Sequence, residues 1–552
     1  MSASSKKKLR NAQNAEKLTE KQLAEQKEAK KLKLYTTLFV AVIALMVCFA
    51  LYTAITNTVE HSGIIERSTT AVTVNGHEVS NAELNYYFID AVNQFYSNYG
   101  GYASLFGLDV TKPLNEQVVN ETTGQTWADD FIDSAKESLK AVYAMNDAAE
   151  AAGFTLTEEE KSYIDSTVLN IKSYATLYGY ANMDDYLKAM YGNGANEETF
   201  RNYVTMTTIA TSYQNNYVEN LTYTDEDLRA AEAENYAEFS SFSYNSYYIA
   251  VSKFLKGGTT AEDGTVTYTD EENEFARAAA EEAANSLTSA TSVEELDAAI
   301  DALVINADTT AASTAYTDYA YASINSTIAE WVTDASRVAG DIGVIPAVTH
   351  THEEGETHSD DEDAAAHEVV NGYYVVLFNG SNDNNFALAN VRHILVSFEG
   401  GTQNASTGTT VYSDEEKAAA KAKAEDIYAA WQAGEATEDS FAALAKEKST
   451  DPGSVENGGL YEDVYPGQMV TPFNDWCFAE ERKVGDTGIV ETDYGYHVMF
   501  YSADSETLYR DMLIENALMQ KDAEAWNTSL LENVTVTDVN LKYLSTDLVL
   551  SR

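Results

Sequence analysis

The chain has 552 residues, of which 44% are hydrophobic and 11% aromatic, so it is long enough for three or four domains with packed cores. This composition excludes an intrinsically disordered chain. The formal net charge of −53 argues against nucleic acid as a partner, because binding to phosphates requires clustered Lys and Arg.

The first 59 residues have the charge pattern of a membrane anchor. Residues 1–33 carry ten Lys or Arg and four Glu, a net charge of +6, and we interpret them as a cytoplasmic tail. Residues 34–59 carry no charge, and their apolar centre of 21 residues, from Tyr35 to Ile55, has a length of roughly 31 Å as a helix. A bilayer core is about 30 Å thick, so the segment predicts a transmembrane helix with the rest of the chain outside the cytoplasm.

Two other kinds of anchor compete with this interpretation. A cleaved signal peptide usually has a shorter basic region and a shorter apolar run. A lipid anchor at Cys48 requires a small residue before the cysteine, where this sequence has Val47. We therefore favour an uncleaved signal anchor. The second cysteine, Cys477, lies far outside this segment, so no disulfide framework is expected in the exterior part.

Residues 60–242 are expected to be mainly helical, since they are rich in Ala, Leu, Tyr and Glu. Before the first helix, Asn75-Gly76 separates two alternating apolar segments and predicts a β-hairpin. Capping boxes predict helix starts at Ser80, Thr157 and Thr224, because each is followed three positions later by an acidic residue.

Residues 243–385 combine strand-like ends with Ala- and Glu-rich helical sequence. An acidic insert at 350–368 contains four of the eight histidines of the chain, which are weak candidates for metal ligands: His350, His352, His358 and His367. Imidazole is a good ligand for Zn²⁺ and Ni²⁺. Their spacing fits no closed structural zinc site, so a surface loop without metal is the favoured interpretation.

Residues 386–504 predict an α+β domain. A buried strand is expected at 391–397, followed by a helix that a capping box opens at Ser413 and that has an apolar stripe at helical spacing. Further helices are expected near 440–446 and 471–478, and two closing strands near 487–491 and 496–501. Helices inserted between strands of one sheet are typical of the α+β class.

Five segments of this region resemble the parvulin-type peptidyl-prolyl isomerases in order and spacing: 391–396, 449–454, 457–460, 467–473 and 492–497. The wider layout is similar to that of the PrsA-type and SurA-type membrane-anchored foldases. That similarity implies a helical chaperone-like domain at 60–242, completed by 505–552, before a parvulin domain at 386–504.

The resemblance implies a set of site residues. His393 and His497 match the paired histidines of the parvulin core, Asp451 matches a position held by Cys or Asp, and Thr492 matches a residue that hydrogen-bonds the pair. The residues that match the apolar pocket for the proline ring are Leu460, Met469 and Phe473.

These residue types suit the chemistry. Rotation about an X–Pro bond breaks no covalent bond, and its barrier of about 18–20 kcal/mol arises from lost amide resonance. An apolar pocket and polar groups that favour the twisted amide lower this barrier without a nucleophile, a metal or another cofactor. We place the two histidines in the site but do not assign them a role as acid or base.

An internal repeat supports a second, degenerate copy of the domain at 243–385. Trp331 and the following Arg, Gly, Asp and Gly recur at the same spacing after Trp476. In this alignment Tyr248 and Tyr374 replace the two histidines, and no Met/Phe pocket block is evident. We expect this copy to be inactive as an isomerase and to serve as a scaffold or a client-binding surface.

The leading hypothesis is an extracytoplasmic prolyl isomerase and chaperone, anchored in the membrane, that acts on unfolded or newly exported polypeptides containing X–Pro bonds. The alternatives are a non-catalytic holdase and a surface peptide-binding protein that keeps the parvulin fold as a scaffold. The sequence leaves the oligomeric state open, a homodimer included.

Overall fold

The computed structural model describes residues 3–11, 43, 46–47, 59, 61–261, 264–303, 312–351, 367–404 and 408–550. All but four positions of the predicted membrane helix, residues 34–59, lie outside this part of the chain. Among the described residues, no helix combines the length and the apolar character needed to cross a bilayer.

From residue 61 onward, the α-helices are α1 (Ile64–Ser68), α2 (Asn81–Tyr99), α3 (Trp127–Ala152), α4 (Glu158–Leu177), α5 (Met183–Tyr191), α6 (Glu197–Glu219), α7 (Asp225–Glu234), α8 (Asp270–Ser286), α9 (Val293–Ala302), α10 (Ser326–Val332), α11 (Asp414–Ala433), α12 (Glu438–Lys448), α13 (Thr471–Cys477) and α14 (Tyr509–Leu531). The strands are β1 (Thr70–Val74), β2 (His77–Ser80), β3 (Val118–Asn120), β4 (Gln125–Thr126), β5 (Ser241–Ala250), β6 (Thr259–Thr260), β7 (Val266–Thr267), β8 (Thr314–Ala320), β9 (Ile342–Thr351), β10 (His367–Asn382), β11 (Ala387–Ser397), β12 (Thr402–Gln403), β13 (Thr410–Val411), β14 (Leu460–Val464), β15 (Thr487–Thr492), β16 (Gly495–Leu508) and β17 (Val536–Asp538). The mixture of helices and antiparallel sheets confirms the α+β class.

The chain forms two compact units, and the first comprises Met1–Leu221 and Asp522–Arg552. Its helices α2 and α3 pack on a three-stranded sheet of order β17-β1-β2. The C-terminal segment contributes β17, which pairs with β1, and Leu544, which is buried in the same core. Residues far apart in sequence therefore complete one core.

Local sequence patterns explain several boundaries in this unit. Asn75 and Gly76 have φ of 50° and 88°, the left-handed conformation that a two-residue hairpin turn between β1 and β2 requires. The capping box at Thr157 forms in full, as does the box at Thr224, which opens the first helix of the other unit. At Ser80 only one of the two hydrogen bonds of the capping box forms, from Glu83 N to the Ser80 side chain. The Glu83 carboxylate accepts a hydrogen bond from Tyr143 Oη (2.7 Å) instead of one from the Ser80 backbone.

The second unit, Thr222–Lys521, contains two four-stranded sheets with the same topology. Their strand orders are β8-β5-β10-β9 and β14-β11-β16-β15, so each sheet places its first strand between its second and its fourth. Helices α8 and α9 pack on one face of the first sheet and α10 on the other. Helices α11 and α12 cover one face of the second sheet and α13 the other. The sequence repeat therefore has a counterpart in strand order and layering.

The pairing register corrects one position of the sequence alignment. In the second sheet Gly495 pairs with Ser397, and in the first sheet the equivalent Gly372 pairs with Ala250. Counting back four positions places Ser246, rather than Tyr248, at the position of His393. The predicted replacement by Tyr248 is therefore wrong.

The two copies differ in length directly after the strand that holds this position. A 3₁₀ turn at Val251–Phe254 adds four residues directly after β5. Beyond it the two copies align again, since Gly258 N donates to Glu272 Oε1 (3.1 Å) as Gly401 N donates to Glu416 Oε1 (2.8 Å). A two-residue shift keeps every side chain on the same face of a strand, so the apolar pattern of the sequence did not reveal it.

Arg510, at the start of α14, is 1% exposed and joins separate segments of the second unit. Its Nε donates to Glu232 Oε1 (2.5 Å), and its terminal nitrogens donate to the carbonyl oxygens of Asp383 (2.5 Å) and Tyr236 (3.2 Å). The guanidinium also lies 3.9 Å from the centroid of the Tyr236 ring. Because α7 carries Glu232, this network places residues 222–242 with the second unit rather than with the helical domain expected at 60–242.

We expect Arg510→Met to lower the free energy of unfolding of the second unit by about 3–5 kcal/mol, because it removes the buried cation from its pair with Glu232 and takes the guanidinium donor away from the Asp383 carbonyl. Arg229→Met is a matched control, since Arg229 binds the same Glu232 (2.6 Å) with a side chain that is 50% exposed. We expect that control to cost at most about 1 kcal/mol. Urea unfolding measures both values, and equal losses in the two variants would contradict the structural role of Arg510.

Candidate active site

The two predicted histidines lie on the central strands of the second sheet, His393 on β11 and His497 on β16. His393 pairs with Met499 and His497 pairs with Leu395, so the two rings are diagonal neighbours on one face of the sheet. Their exposed fractions are 3% and 5%. Both rings are therefore buried between the sheet and α13.

A chain of hydrogen bonds links four of the predicted site residues. Asp451 Oδ2 lies 2.9 Å from His393 Nε2, and His393 Nδ1 lies 2.9 Å from His497 Nδ1. His497 Nε2 lies 2.8 Å from Thr492 Oγ1. The imidazole planes are nearly parallel, at 18°, with centroids 5.1 Å apart. The structure thus brings together Asp451, His393, His497 and Thr492.

With both rings neutral, the donors and acceptors in this series of hydrogen bonds can be assigned in only one way. An ionised Asp451 only accepts, so His393 Nε2–H donates to it and His393 Nδ1 accepts from His497 Nδ1–H. His497 Nε2 then accepts from the hydroxyl of Thr492. Burial, followed by the electrostatic effect of His393, lowers the pKa of His497 to about 3, against a smaller opposing effect of Asp451.

Asp451 is held as a carboxylate by several donors. Besides His393, Ser454 Oγ donates to Oδ2 at 2.5 Å and Tyr461 Oη at 3.0 Å, while Gly453 N donates to Oδ1 at 3.3 Å. The hydrogen bond from His393, followed by those from Ser454 and Gly453, holds the pKa of Asp451 well below its ordinary value, although partial burial acts in the opposite direction. Its side chain is 15% exposed, so solvent or a bound peptide can reach it.

The apolar part of the site lies under the imidazoles. Phe473, on α13, meets both rings edge to face, with centroids 5.4 Å from His393 and 5.5 Å from His497. Phe473 is 2% exposed, whereas Met469 is half-buried against the same cluster. Met469 is therefore the more accessible of the two predicted pocket residues, and Phe473 supports the rings from the core.

Leu460, the third predicted pocket residue, is half-buried at the start of β14. In the part of the chain that the structure describes, the apolar cluster around Phe473 includes its neighbour Tyr461 but not Leu460. The Tyr461 ring centroid lies 5.4 Å from that of His393. A pocket role for Leu460 stays a prediction.

Sequence reasoning missed Ser454 and Tyr461, the two hydroxyl donors to Asp451. Ser454 is 1% exposed and follows Asp451 by three residues, a spacing at which a side-chain hydrogen bond is common in turns. No comparable signal exists for Tyr461, because its approach depends on the pairing of β14 with β11.

Cys477, which the sequence left without a role, packs behind Phe473 and is 2% exposed. Burial raises the pKa of its thiol to about 12, so this group remains protonated at neutral pH. The site therefore offers no thiolate nucleophile at this position.

The equivalent face of the first sheet lacks the hydrogen-bond chain. Ser246 and Tyr374 occupy the two histidine positions, and Tyr374 Oη accepts a hydrogen bond from Asn325 Nδ2 (3.2 Å). Ile324 and Ile328, 7% and 2% exposed, occupy the positions of Met469 and Phe473 when Trp331 is aligned with Trp476. The first copy thus has no Met/Phe block at these positions, as the sequence indicated, although both side chains there are apolar.

The histidine-rich insert lies mostly beyond the described residues. His352 and His358 fall outside them, and only the backbones of His350 and His367 are placed, at the ends of β9 and β10. Among the residues that the structure describes, no group of three or more His, Cys, Asp or Glu side chains is arranged to hold a metal ion. The weak candidate ligands stay a prediction.

Residues 375–502 match the family of PPIC-type PPIase domains. The matched segment begins in β10 and contains all of β11, β14 and β15, and it includes every residue predicted for the isomerase site. This match confirms the resemblance to parvulin-type isomerases that the five sequence segments indicated.

Individual relatives match over short segments. The foldase protein PrsA 1 of Listeria monocytogenes is 44% identical over 59 residues, 11% of this chain and 20% of that protein. The foldase protein PrsA of Geobacillus kaustophilus is 47% identical over 60 residues, 11% of this chain and 21% of that protein. A crystal structure of the peptidylprolyl isomerase PrsA from Bacillus cereus is 27% identical, with 31% of this chain and 59% of that chain covered and a TM-score of 0.18. The chain thus spans about a fifth of the length of the two PrsA proteins from Listeria and Geobacillus.

The low pKa of His497 predicts that its ring stays neutral in mildly acidic solution. A histidine in an unfolded chain takes up a proton near pH 6.5, so the unfolded state binds more protons than the folded one between about pH 6.5 and pH 3. The contribution of His497 to stability is therefore lost as the pH falls through that range.

Ring ¹⁵N chemical shifts of the folded chain, with His497→Asn used for assignment, measure this directly. We expect the His497 signals to keep the neutral form, protonated at Nδ1, from pH 8 to pH 5. Titration with a midpoint near 6.5 would contradict the hydrogen-bond chain.

Proposed function

We propose that residues 386–504 catalyse rotation about X–Pro peptide bonds in unfolded polypeptides, without covalent chemistry and without a cofactor. The observation that carries this proposal is the hydrogen-bond chain from Asp451 through His393 and His497 to Thr492, placed beside the apolar side chain of Met469. The match of this region to PPIC-type PPIase domains supports it.

The geometry suggests how the barrier of about 18–20 kcal/mol is lowered. A planar amide carries negative charge on its oxygen, and this charge decreases when the bond twists and resonance is lost. A carboxylate near that oxygen disfavours the planar form more than the twisted one, and an apolar pocket acts in the same direction. Asp451 supplies the carboxylate, since its low pKa keeps it ionised, and Met469 contacts the proline ring.

The histidines act as positioning residues in this mechanism. Both rings are almost completely buried, and His497 stays neutral at physiological pH, so neither is suited to exchange protons with a substrate. Instead, His393 fixes the orientation of Asp451, and His497 and Thr492 fix the orientation of His393. The shape and the charge of the site are thereby set before a peptide binds.

A chaperone activity of the first unit is the second part of the proposal. Its surface carries an aromatic patch of large apolar side chains that are 44–79% exposed: Tyr96, Tyr99, Tyr102, Leu105 and Phe106. The rings of Tyr99 and Phe106 are in contact, with centroids 5.3 Å apart, and exposed apolar surface grouped in this way is typical of binding sites for other chains. We therefore assign the binding of unfolded segments to this patch.

We further propose that the first copy, residues 243–385, is a non-catalytic scaffold or client-binding domain, because Ser246 and Tyr374 replace its histidines. For the whole chain we propose anchoring by residues 34–59, with residues 60–552 outside the cytoplasm. Its support is the uncharged segment of sufficient length next to a basic flank.

Met469→Ala tests the pocket, because Met469 is half-buried, whereas removal of the core ring in Phe473→Ala would cost about 3–5 kcal/mol of stability. We expect kcat/KM for a proline-containing peptide to fall about tenfold, as lost apolar contacts with the proline ring predict. Two-dimensional NMR exchange between the cis and trans peptide signals measures it. The matched control is Met519→Ala on α14, and a control that loses as much activity would place the pocket elsewhere.

Tyr102→Ser with Leu105→Ser tests the aromatic patch. These side chains are 66% and 79% exposed, so we expect an unchanged melting temperature and a loss of more than half of the ability to suppress aggregation of an unfolded protein. Light scattering of the aggregating protein measures the effect. The control changes Val411 and Val484, each 60% exposed in the second unit, to Ser. A patch variant that protects as well as this control would remove the assignment.

A further inference from the structure

The second unit contains a groove whose lining includes none of the predicted residues of the isomerase site. It has a volume of about 810 Å³ and lies where the ends of the first sheet meet the face of α13 opposite the histidines. The large apolar and aromatic side chains in its lining are Phe386, Phe478, Tyr501, Tyr509 and Leu513. Cavities of roughly 300–1,000 Å³ hold drug-sized ligands, so this groove has room for a few residues of an extended peptide.

The charged side chains around the groove are mostly acidic. Four carboxylates line it, from Glu238, Asp318, Asp475 and Glu480, and a single cation, Arg482. Arg482 is already engaged, since its guanidinium lies 3.8 Å from the Trp476 ring centroid and its Nη1 lies 3.5 Å from Asp486. The net charge of the lining residues is −3, which attracts a cationic ligand.

The groove is continuous with the candidate active site through α13. Phe473 contacts the histidine rings, whereas the next two residues, Asn474 and Asp475, line the groove. The loop before α13 is shared in the same way, because Gly467 lines the groove and Met469 belongs to the pocket. Because the two sites lie on opposite faces of α13, their separation is about the diameter of a helix, roughly 10–12 Å, which three or four residues of an extended chain cover.

We propose that this acidic groove is an auxiliary binding site for the polypeptide substrate, which selects segments that carry Lys or Arg about three to five residues from the proline. The apolar floor contacts the aliphatic part of the basic side chain or a neighbouring apolar residue, and the carboxylates pair with the cationic group. The groove raises the local concentration of such segments at the isomerase site. This inference rests on the proposed isomerase function and adds the substrate preference.

The experiment compares peptides that share one proline-containing core. Each peptide carries three Lys, three Gln or three Glu, separated from the proline by a spacer of four Gly or Ser residues. One version of each has the three residues before the proline, and a second version has them after it. NMR exchange gives kcat/KM with the full chain at about 10 mM salt, where surface charges are little screened. In the chain direction that places the basic residues in the groove, we expect the Lys peptide to be preferred over the Glu peptide by about tenfold. We expect this preference to decline at about 300 mM salt.

The groove variant combines Asp318→Asn, Asp475→Asn and Glu480→Gln. Its matched control removes the same charge from exposed residues of α11 and the turn after it, through Glu415→Gln, Asp426→Asn and Glu435→Gln. We expect the groove variant to reduce the preference to about twofold or less and the control to keep it. Circular dichroism and the melting temperature establish that both variants are folded.

The two proposals fail in different ways. If the wild-type chain accelerates exchange in none of the peptides, the isomerase function is wrong. If it accelerates the Gln peptide but treats the Lys and Glu peptides equally, the groove inference alone is wrong. A preference that falls equally in the groove variant and in the control reflects the overall negative charge of the chain, and it too overturns the groove.

Discussion

The pairing of two buried imidazoles is the constraint on which the domain at residues 386–504 depends. A polar ring nitrogen without a partner in such a place costs about 1–3 kcal/mol, so each of the four nitrogens must be matched. Asp451 and Thr492 are the partners of the two Nε2 atoms, and the two Nδ1 atoms of His393 and His497 are hydrogen-bonded to each other. This requirement fixes the loop that carries Asp451 and the turn that follows Thr492 relative to the central strands. The hydrogen bonds thereby set the positions of these four side chains relative to one another.

The internal repeat separates what the fold requires from what the site requires. Both sheets of the second unit have the same strand order, and helices cover both faces of each. In the first sheet Ser246 and Tyr374 stand where the second has histidines, so the architecture forms without an imidazole pair. The strand order alone therefore does not require an imidazole pair, which supports the argument that the histidines of the second copy serve the site.

The two ends of the described chain contribute to one core in the first unit, where β17 pairs with β1. A fragment limited to residues 60–240 would therefore lack an edge strand and the buried Leu544. Within the second unit, Arg510 has a comparable role, since its hydrogen bonds reach Glu232, 278 positions away in sequence. Both features make the stability of each unit depend on segments that are distant in the chain.

The sequence by itself determined the features that are encoded within a few residues. The hairpin at Asn75-Gly76, the complete capping boxes and the buried stripe of α11 follow from local φ preferences, from hydrogen bonds between neighbouring residues and from the helical period. The motif resemblance likewise named Asp451, His393 and His497, because their spacing along the chain is itself the signal.

Only the tertiary structure decided which residues meet across strands and between layers. The two-residue register offset that places Ser246 at a histidine position is invisible to a pattern of period two, which is unchanged by such a shift. The approach of Tyr461 to Asp451, the burial of Phe473 and the acidic groove depend on how separate elements pack together. These contacts arise from the summed packing of many side chains, and no local segment carries that information.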